Sequence, residues 1–391
     1  MVLAFLLAVA AAAGVRLLDS LALLPVLVIA WRLAPSALTY AFIYQLFILV
    51  LFPDLGAGLA NHYQLTGFGW RVLGQLAVGL WALLLAVPGL VAFRWRSDSR
   101  FNVRVLAALG AWVVMPSLLS PLMVLHPVQA AGDWLPASGY IGLAVMALFI
   151  LALAVMPWRV LAPCAVIPLS LSIILNVAYL YRSDKEESKA VIHGLSLSLG
   201  RPSNVPSERA GQLRQAVNAL ETRLRQGAEV VVTPELLVRN RDGSMHAWQR
   251  ELDRLTRKYP AMVWTGAEVW DREEVFNLAG AAGSDASPVA ALVPLPFVMW
   301  KPWSGLPSTW SDDNRWRRLN DREQIGFLFC YEALTPAAWL ERLRRPDRPG
   351  TLVFLSSQWW ASGDAVGQVL STSARAFARL AGVRYRQAVA R

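Results

Sequence analysis

The chain has 391 residues, room for two domains of ordinary size, and its 55% hydrophobic against 16% charged content is too apolar for an ordinary soluble protein. The net charge of +10 would suggest nucleic acid if Lys and Arg formed a block interleaved with aromatics. Instead the arginines are scattered through the second half and the short loops of the first, which argues against nucleic acid as a partner and for a basic face near anionic lipid headgroups.

Long apolar runs fill the chain up to Tyr181, and an ordinary mixed sequence follows Arg182. A bilayer crossing takes roughly 20 apolar residues. Spans are expected near Val2–Val15, Leu21–Trp31, Ala37–Phe52, Val72–Phe93, Val105–Leu125, Tyr140–Met156 and Val160–Tyr181, about seven helices in all. The first 33 residues, broken by Arg16 and Asp19, read as two short helices rather than as a cleaved signal, since no basic segment precedes them and more spans follow. Arg94, Arg96, Arg100 and Arg104 make the one strongly basic loop and mark the cytoplasmic side. The loops Pro53–Gly69 and His126–Gly139 carry no Lys or Arg and face outward. The count then delivers the second half to the outer face, the periplasm of a bacterium. His62 and His126 read as solvated loop residues, and Asn176 as an interhelical hydrogen bond.

After a charged linker, Arg182–Lys189, strands are expected at Val191–Leu199, Glu229–Thr233, Met262–Thr265, Phe276–Ala281, Ile325–Phe329 and Thr351–Leu355. Helices are expected at Ser207–Gln226, Met245–Tyr259, Pro336–Leu343 and Ala365–Leu380. This alternation indicates a layered α/β domain over 190–391, beside a transmembrane domain over 1–181.

Two apolar strands end in reactive side chains. Val230-Val231-Val232-Thr233-Pro234-Glu235 sets a carboxylate just past a strand, and Gly326-Phe327-Leu328-Phe329-Cys330-Tyr331-Glu332 does the same for a thiol. Cys164 lies in an apolar run, so a disulfide with Cys330 is not expected, and an unpaired thiol in an oxidising compartment points to catalysis. A thiol becomes a nucleophile when a base takes its proton, a role open to Glu235, with Glu332 supporting. A cation would hold the oxyanion of a tetrahedral intermediate. Only Lys258 and Lys301 lie between Glu235 and Cys330; Lys258 falls late in a helix, and Lys301 follows the strand-like run Val289–Trp300. Each signal alone has an ordinary structural explanation; their joint order Glu235, Lys301, Cys330 is what carries weight. The four histidines are scattered without zinc spacing, and no glycine-rich phosphate loop precedes a helix, so neither metal nor cofactor is expected.

These segments resemble the nitrilase, or carbon–nitrogen hydrolase, superfamily over roughly 190–385. The Cys330 segment is similar to the nucleophile segment of that family, Val232–Glu235 to its general-base segment, Phe276-Asn277 to its Tyr-Asn strand, and Leu355-Ser356-Ser357-Gln358-Trp359-Trp360 to its following strand. The resemblance implies an αββα domain and a Glu235–Lys301–Cys330 triad, with the backbone N–H near Tyr331 at the oxyanion. A membrane-embedded domain of this kind resembles the apolipoprotein N-acyltransferases, which implies a phospholipid acyl donor and a cysteine thioester, the amine acceptor, protein or small molecule, remaining open. Trp359 and Trp360 would then line the acyl or headgroup entrance, with Trp303 and Trp310 on a loop at the bilayer. Met299-Trp300-Lys301-Pro302-Trp303 and the Trp359-Trp360 pair look more like the TraB-type conjugal transfer proteins. No Phe-Gly-Glu follows Leu292-Val293-Pro294, and the chain reaches Arg391 without the acyltransferases' closing strands and final helix. Those departures favour a rival expectation, a catalytically reduced structural component of a conjugative or envelope assembly.

Overall fold

The computed structural model describes residues 1–114, 124–183, 192–271, 274–282, 287–293, 317–320, 323–344 and 349–391. Two compact units divide the chain. One comprises Met1–Glu186, Leu334–Arg345 and Ala361–Gly382, the other Glu187–Ala333, Pro346–Trp360 and Val383–Arg391. The sequence reading drew a single boundary between residues 181 and 190. Two segments of the second half instead pack with the first.

The first unit begins with α1 (Val2–Leu17), α2 (Val26–Leu33), α3 (Ala37–Leu51), α4 (Leu55–His62), α5 (Phe68–Phe93), α6 (Phe101–Leu109, prolonged by a π-helical turn to Val114), α7 (Ala131–Trp134), α8 (Gly139–Val155) and α9 (Trp158–Ser183). Among the described residues two helices, Phe68–Phe93 and Trp158–Tyr181, are long and apolar enough to cross a membrane. A third crossing arises if α3 and α4, bent by 62° at their break, form one broken span. The shortfall is one of length. α2 has 8 residues and α1 has 16, below the roughly 20 that a bilayer asks for. The expected span Val105–Leu125 falls partly outside the described residues. α9 leaves Ile167, Ile173, Ile174, Val177 and Leu180 exposed, an apolar surface suited to lipid.

Several local devices hold this unit together. Gly56 of α4 lies against α5 so closely that a Cβ there would stand 2.6 Å from Gln75 Cα, and Gly74 has no room against Gly56. The loop expected to face outward therefore holds a helix packed by glycine contact. Arginines close helix C-termini, where carbonyls lack partners. Arg32 donates to Leu153 O at 2.7 Å and Met156 O at 2.8 Å, and Arg96 donates to Trp31, Arg32 and Ala34 carbonyls. His126 is not solvated, as the sequence suggested. It is buried, its Nδ1 accepts from Val128 N at 3.2 Å, and it caps the turn Pro127–Ala130.

The second unit is built on two sheets. Sheet A runs β1 (Ile192–Gly194), β3 (Val230–Val232), β5 (Met262–Asp271), β6 (Glu274–Ala282), β7 (Val289–Ala290), with β4 (Val238–Arg239) beside β5. Sheet B runs β2 (Ser196–Leu197), β11 (Arg384–Ala390), β10 (Thr351–Ser357), β9 (Glu323–Phe329), β8 (Arg317–Asn320). β1, β3 and β5 are parallel, as are β2, β11, β10 and β9. Strand alternation decides the faces. Val230, Val232 and Trp264 of sheet A share one core with Phe327, Phe329, Val353 and Leu355 of sheet B. The rings of Trp264 and Phe327 meet there at 4.8 Å. Val231 and Val263 point the other way, into a core with α10 (Pro206–Arg225) and α11 (Ser244–Lys258). α10 has Pro206 at its first turn, Leu213, Val217, Leu220 and Leu224 along its buried face, and Gly227 at φ +85° just past its end.

One expected strand proves to be two. Leu195 N donates to Val232 O in sheet A while Leu195 O accepts from Val389 N in sheet B, both at 2.9 Å. A Cβ at Gly194 would overlap the Gln387 carbonyl, so the crossing needs glycine. β11, in register with all seven residues of β10, was not expected; Arg384 and Arg386 hid it.

The remaining helices, α12 (Pro336–Arg344) and α13 (Ala365–Ala381), belong to the first unit. Trp339 and Phe377 stack at 5.3 Å, and Leu125 N donates to Leu334 O at 3.0 Å. α13 is tied by charge. Arg379 pairs with Asp133 at 3.4 Å and donates to Asn176 Oδ1, while Arg375 pairs with Asp19 at 3.6 Å. Asn176 also donates to Asp133 O at 2.9 Å, the interhelical role expected of it.

Candidate active site

Glu235 follows β3 in a turn whose geometry is over-determined. Thr233 N donates to Trp264 O at 2.8 Å, Gly266 N to Thr233 Oγ1 at 3.2 Å, and Leu237 N to Gly266 O at 2.9 Å. A Cβ on Gly266 would stand 2.7 Å from Glu235 Cα, so only glycine lets the turn lie against β5. Leu236 adopts φ +56°, a left-handed conformation that a leucine holds only when its surroundings impose it. Arg209 of α10, itself buried, donates to Leu237 O at 2.7 Å and fixes the far side of the turn.

Cys330 opens a 3₁₀ turn, Cys330–Leu334, at the end of β9. The thiol is free and buried, and it lies beside the Glu235 carboxyl, each group acting on the other's ionisation. The two residues lie 95 positions apart in sequence and meet because β3 and β9 both end at the same edge of the facing sheets. Two of the three expected triad members are thus brought together. Lys301 and Trp303 lie outside the described residues, as does the side chain of Cys164.

Further side chains complete the site. Asn277 of β6 donates through Nδ2 to Glu235 Oε1, and Ser357 N donates to Oε2 at 3.1 Å. Ser356 Oγ donates to Cys330 Sγ at 3.6 Å, and Gln358 Nε2 donates to Ser356 Oγ at 3.1 Å. These four residues were legible only as parts of strand motifs, not as site residues. Glu332, fully buried, accepts from Leu292 N, from Val293 N at 3.2 Å and from Phe329 N at 3.0 Å. Its carboxylate therefore clamps the chain at 292–293 onto the turn that carries Cys330. Tyr331 lies in that turn; burial pushes its phenol well above the ordinary range. Trp360 Nε1 donates to Ser357 O at 3.0 Å, and the Arg201 guanidinium lies over the Trp359 ring at 5.5 Å. Both tryptophans immediately follow the site strand β10.

The electrostatics suit proton transfer. Burial pushes the Glu235 carboxyl up to about 7; the Asn277, Ser357 and Cys330 donors pull against it, and the Glu332 charge adds to it. Burial and then the Glu235 charge push the Cys330 thiol well up, while the Ser356 hydroxyl and Ser357 N–H pull it down. A carboxyl poised near neutrality beside a thiol is an arrangement that could serve as a general base next to a nucleophile. Among the described residues no three His, Cys, Asp or Glu side chains cluster as metal ligands.

No protein-family model matches the sequence. The chain is 24% identical, over 368 residues covering 90% of it and 88% of the relative, to a protein of Sinorhizobium fredii named "Probable conjugal transfer protein TraB".

Proposed function

We propose that this protein is a membrane-bound, nitrilase-like cysteine acyltransferase or amidase that works through a thioester on Cys330. The observation that carries the reading is the buried Glu235–Cys330 pair at the ends of β3 and β9, with the carboxyl near 7. Two mixed sheets face to face, with helices on the outer side of sheet A, support the nitrilase-like fold. In the proposed reaction Glu235 takes the Cys330 proton and the sulfur keeps the electron pair. The thiolate adds to an acyl carbonyl. Lys301 and a backbone N–H near Tyr331 hold the oxyanion. That addition forms the C–S bond; collapse restores the carbonyl and breaks the bond to the leaving group, which takes the proton from Glu235. An amine or water then adds to the thioester, Glu235 removes its proton, and the thiol is restored.

The apolar spans support a phospholipid as acyl donor, and the cytoplasmic assignment of the Arg94–Arg104 loop supports a catalytic unit on the periplasmic side of a bacterial inner membrane. The likeness to a protein named for conjugal transfer supports a link to that process, and it also favours a second reading, a structural component of a conjugative assembly. One experiment separates them: intact mass after incubation with mixed bacterial phospholipids, wild type against Cys330→Ser. A hydroxylamine-sensitive gain of one acyl chain, absent in the variant, is expected; no adduct favours the structural reading.

A further inference from the structure

The hydrogen bonds around Cys330 run in one direction. The Gln358 amide nitrogen can only donate. Ser356 Oγ therefore accepts from it at 3.1 Å, and the single proton of that hydroxyl is left for Cys330 Sγ, 3.6 Å away. The sulfur, accepting from Ser356, has its own proton free for the neighbouring Glu235 carboxyl. The carboxyl in turn accepts from Asn277 and from Ser357 N. Gln358 is fixed from behind, since its backbone N donates to Ala390 O at 2.6 Å at the end of β11. Ser356 is fully buried and Gln358 nearly so, and among the described residues Glu332 is the charged group acting on the Glu235–Cys330 pair from outside it.

We infer that Ser356 and Gln358 are positioning residues that aim the Cys330 thiol at Glu235 and hold the thiolate once the proton has moved. When Glu235 takes the proton, the negative charge passes to sulfur, which no longer donates. The Ser356 O–H already points at it, and charge on the acceptor strengthens that bond. Gln358, donating to one lone pair of Oγ, holds the hydroxyl oriented so that its proton faces the sulfur. The inference rests on Cys330 being the nucleophile.

The test reads the thiol without any substrate. The rate of Cys330 modification by iodoacetamide, followed by peptide mass between pH 6 and 10, is compared in the wild type, Ser356→Ala, Ser356→Thr and Gln358→Glu. Loss of one hydrogen bond to a charged sulfur slows Ser356→Ala about tenfold at pH 8. Ser356→Thr, which keeps the hydroxyl, restores the rate. Gln358→Glu gives the serine proton a carboxylate to bind and slows modification like the alanine variant. Equal rates in wild type and Ser356→Ala, failure of threonine to rescue, an unaffected Gln358→Glu, or a wild-type thiol inert over the whole range overturns the inference. Loss of thioester formation with phospholipid, while these rates behave as described, would instead count against the proposed reaction alone.

Discussion

Replacing Glu235 with Gln removes a buried charge while keeping the shape. The carboxyl titrates near 7 in the folded protein against an ordinary 4.5. The folded state therefore binds the proton more tightly, so its stabilising effect is complete below pH 4.5 and is lost as pH rises to about 7. That displacement corresponds to about 3 kcal/mol in all, and to about 2–3 kcal/mol between pH 5 and 8. Glu235→Gln lacks this dependence. The amide also fits the site. Its oxygen accepts from Ser357 N, and its NH₂ meets Asn277, whose buried Oδ1 has no partner among the described residues and can accept after the Asn amide turns over. Thermal unfolding of purified wild type and variant, followed by tryptophan fluorescence from pH 5 to 8, isolates the effect, since every other titrating group is shared. The variant is expected to gain on the wild type by several degrees as pH rises. A difference in Tm that stays constant across that range would refute the buried-carboxyl argument.

Three other substitutions probe the scaffold. Gly266→Ala puts a methyl 2.7 Å from Glu235 Cα and should cost about 2–3 kcal/mol by overpacking, with slowed Cys330 modification; an unchanged Tm would show that the turn yields. Glu332→Gln leaves one acceptor oxygen where the carboxylate accepts from three backbone N–H groups, and should lower stability by about 2 kcal/mol in denaturant titration. Arg379→Ala removes the cation from Asp133, whose Oδ2 keeps Ser20 Oγ and Leu21 N, and the donor from Asn176 Oδ1, and because the site is partly solvated the loss should be about 1–2 kcal/mol; a silent variant would mean that α13 is held by its apolar face alone.

Much of the second unit was legible because its strands are short β-branched or aromatic runs with a reactive residue at the end. Val230–Val232 before Glu235 and Ile325–Phe329 before Cys330 announce themselves in that way. β11 did not, since Arg384, Arg386 and Gln387 alternate with residues whose partners lie in β10, which no local pattern reveals. Among the described residues fewer helices than the seven expected are long and apolar enough to cross a membrane, because apolar composition says nothing of where a helix stops. α2 ends where Arg96 takes its last carbonyls, and α3 breaks at Phe52–Asp54. The placement of α13 in the first unit depends on Arg375 and Arg379 finding Asp19 and Asp133, more than 240 residues away in sequence. Ser356 and Gln358 are unremarkable as letters; only the pairing of β10 with β9 brings Ser356 to the thiol and Gln358 to Ser356.

Burial raises the pKa of both Glu235 and Cys330, and at first sight this would disable the nucleophile proposed for Cys330. It does not, because the proton moves within the pair. Above pH 7 the pair holds one proton and one negative charge whether the charge rests on oxygen or on sulfur, so the desolvation cost is nearly common to both forms and cancels. What decides between them is the donor set, Asn277 and Ser357 N–H for the carboxylate, Ser356 O–H and Ser357 N–H for the thiolate. The thiolate fraction should therefore rise tenfold per pH unit up to about 7, where Glu235 loses its second-choice proton, and then level off until the thiol itself titrates. An isolated buried thiol would show no such plateau. Modification rates of Cys330 against pH in the wild type should bend near 7, and those of Glu235→Gln should climb without a break. A wild-type profile that climbs like the variant's would mean that Glu235 is a neighbour of the thiol and not its base.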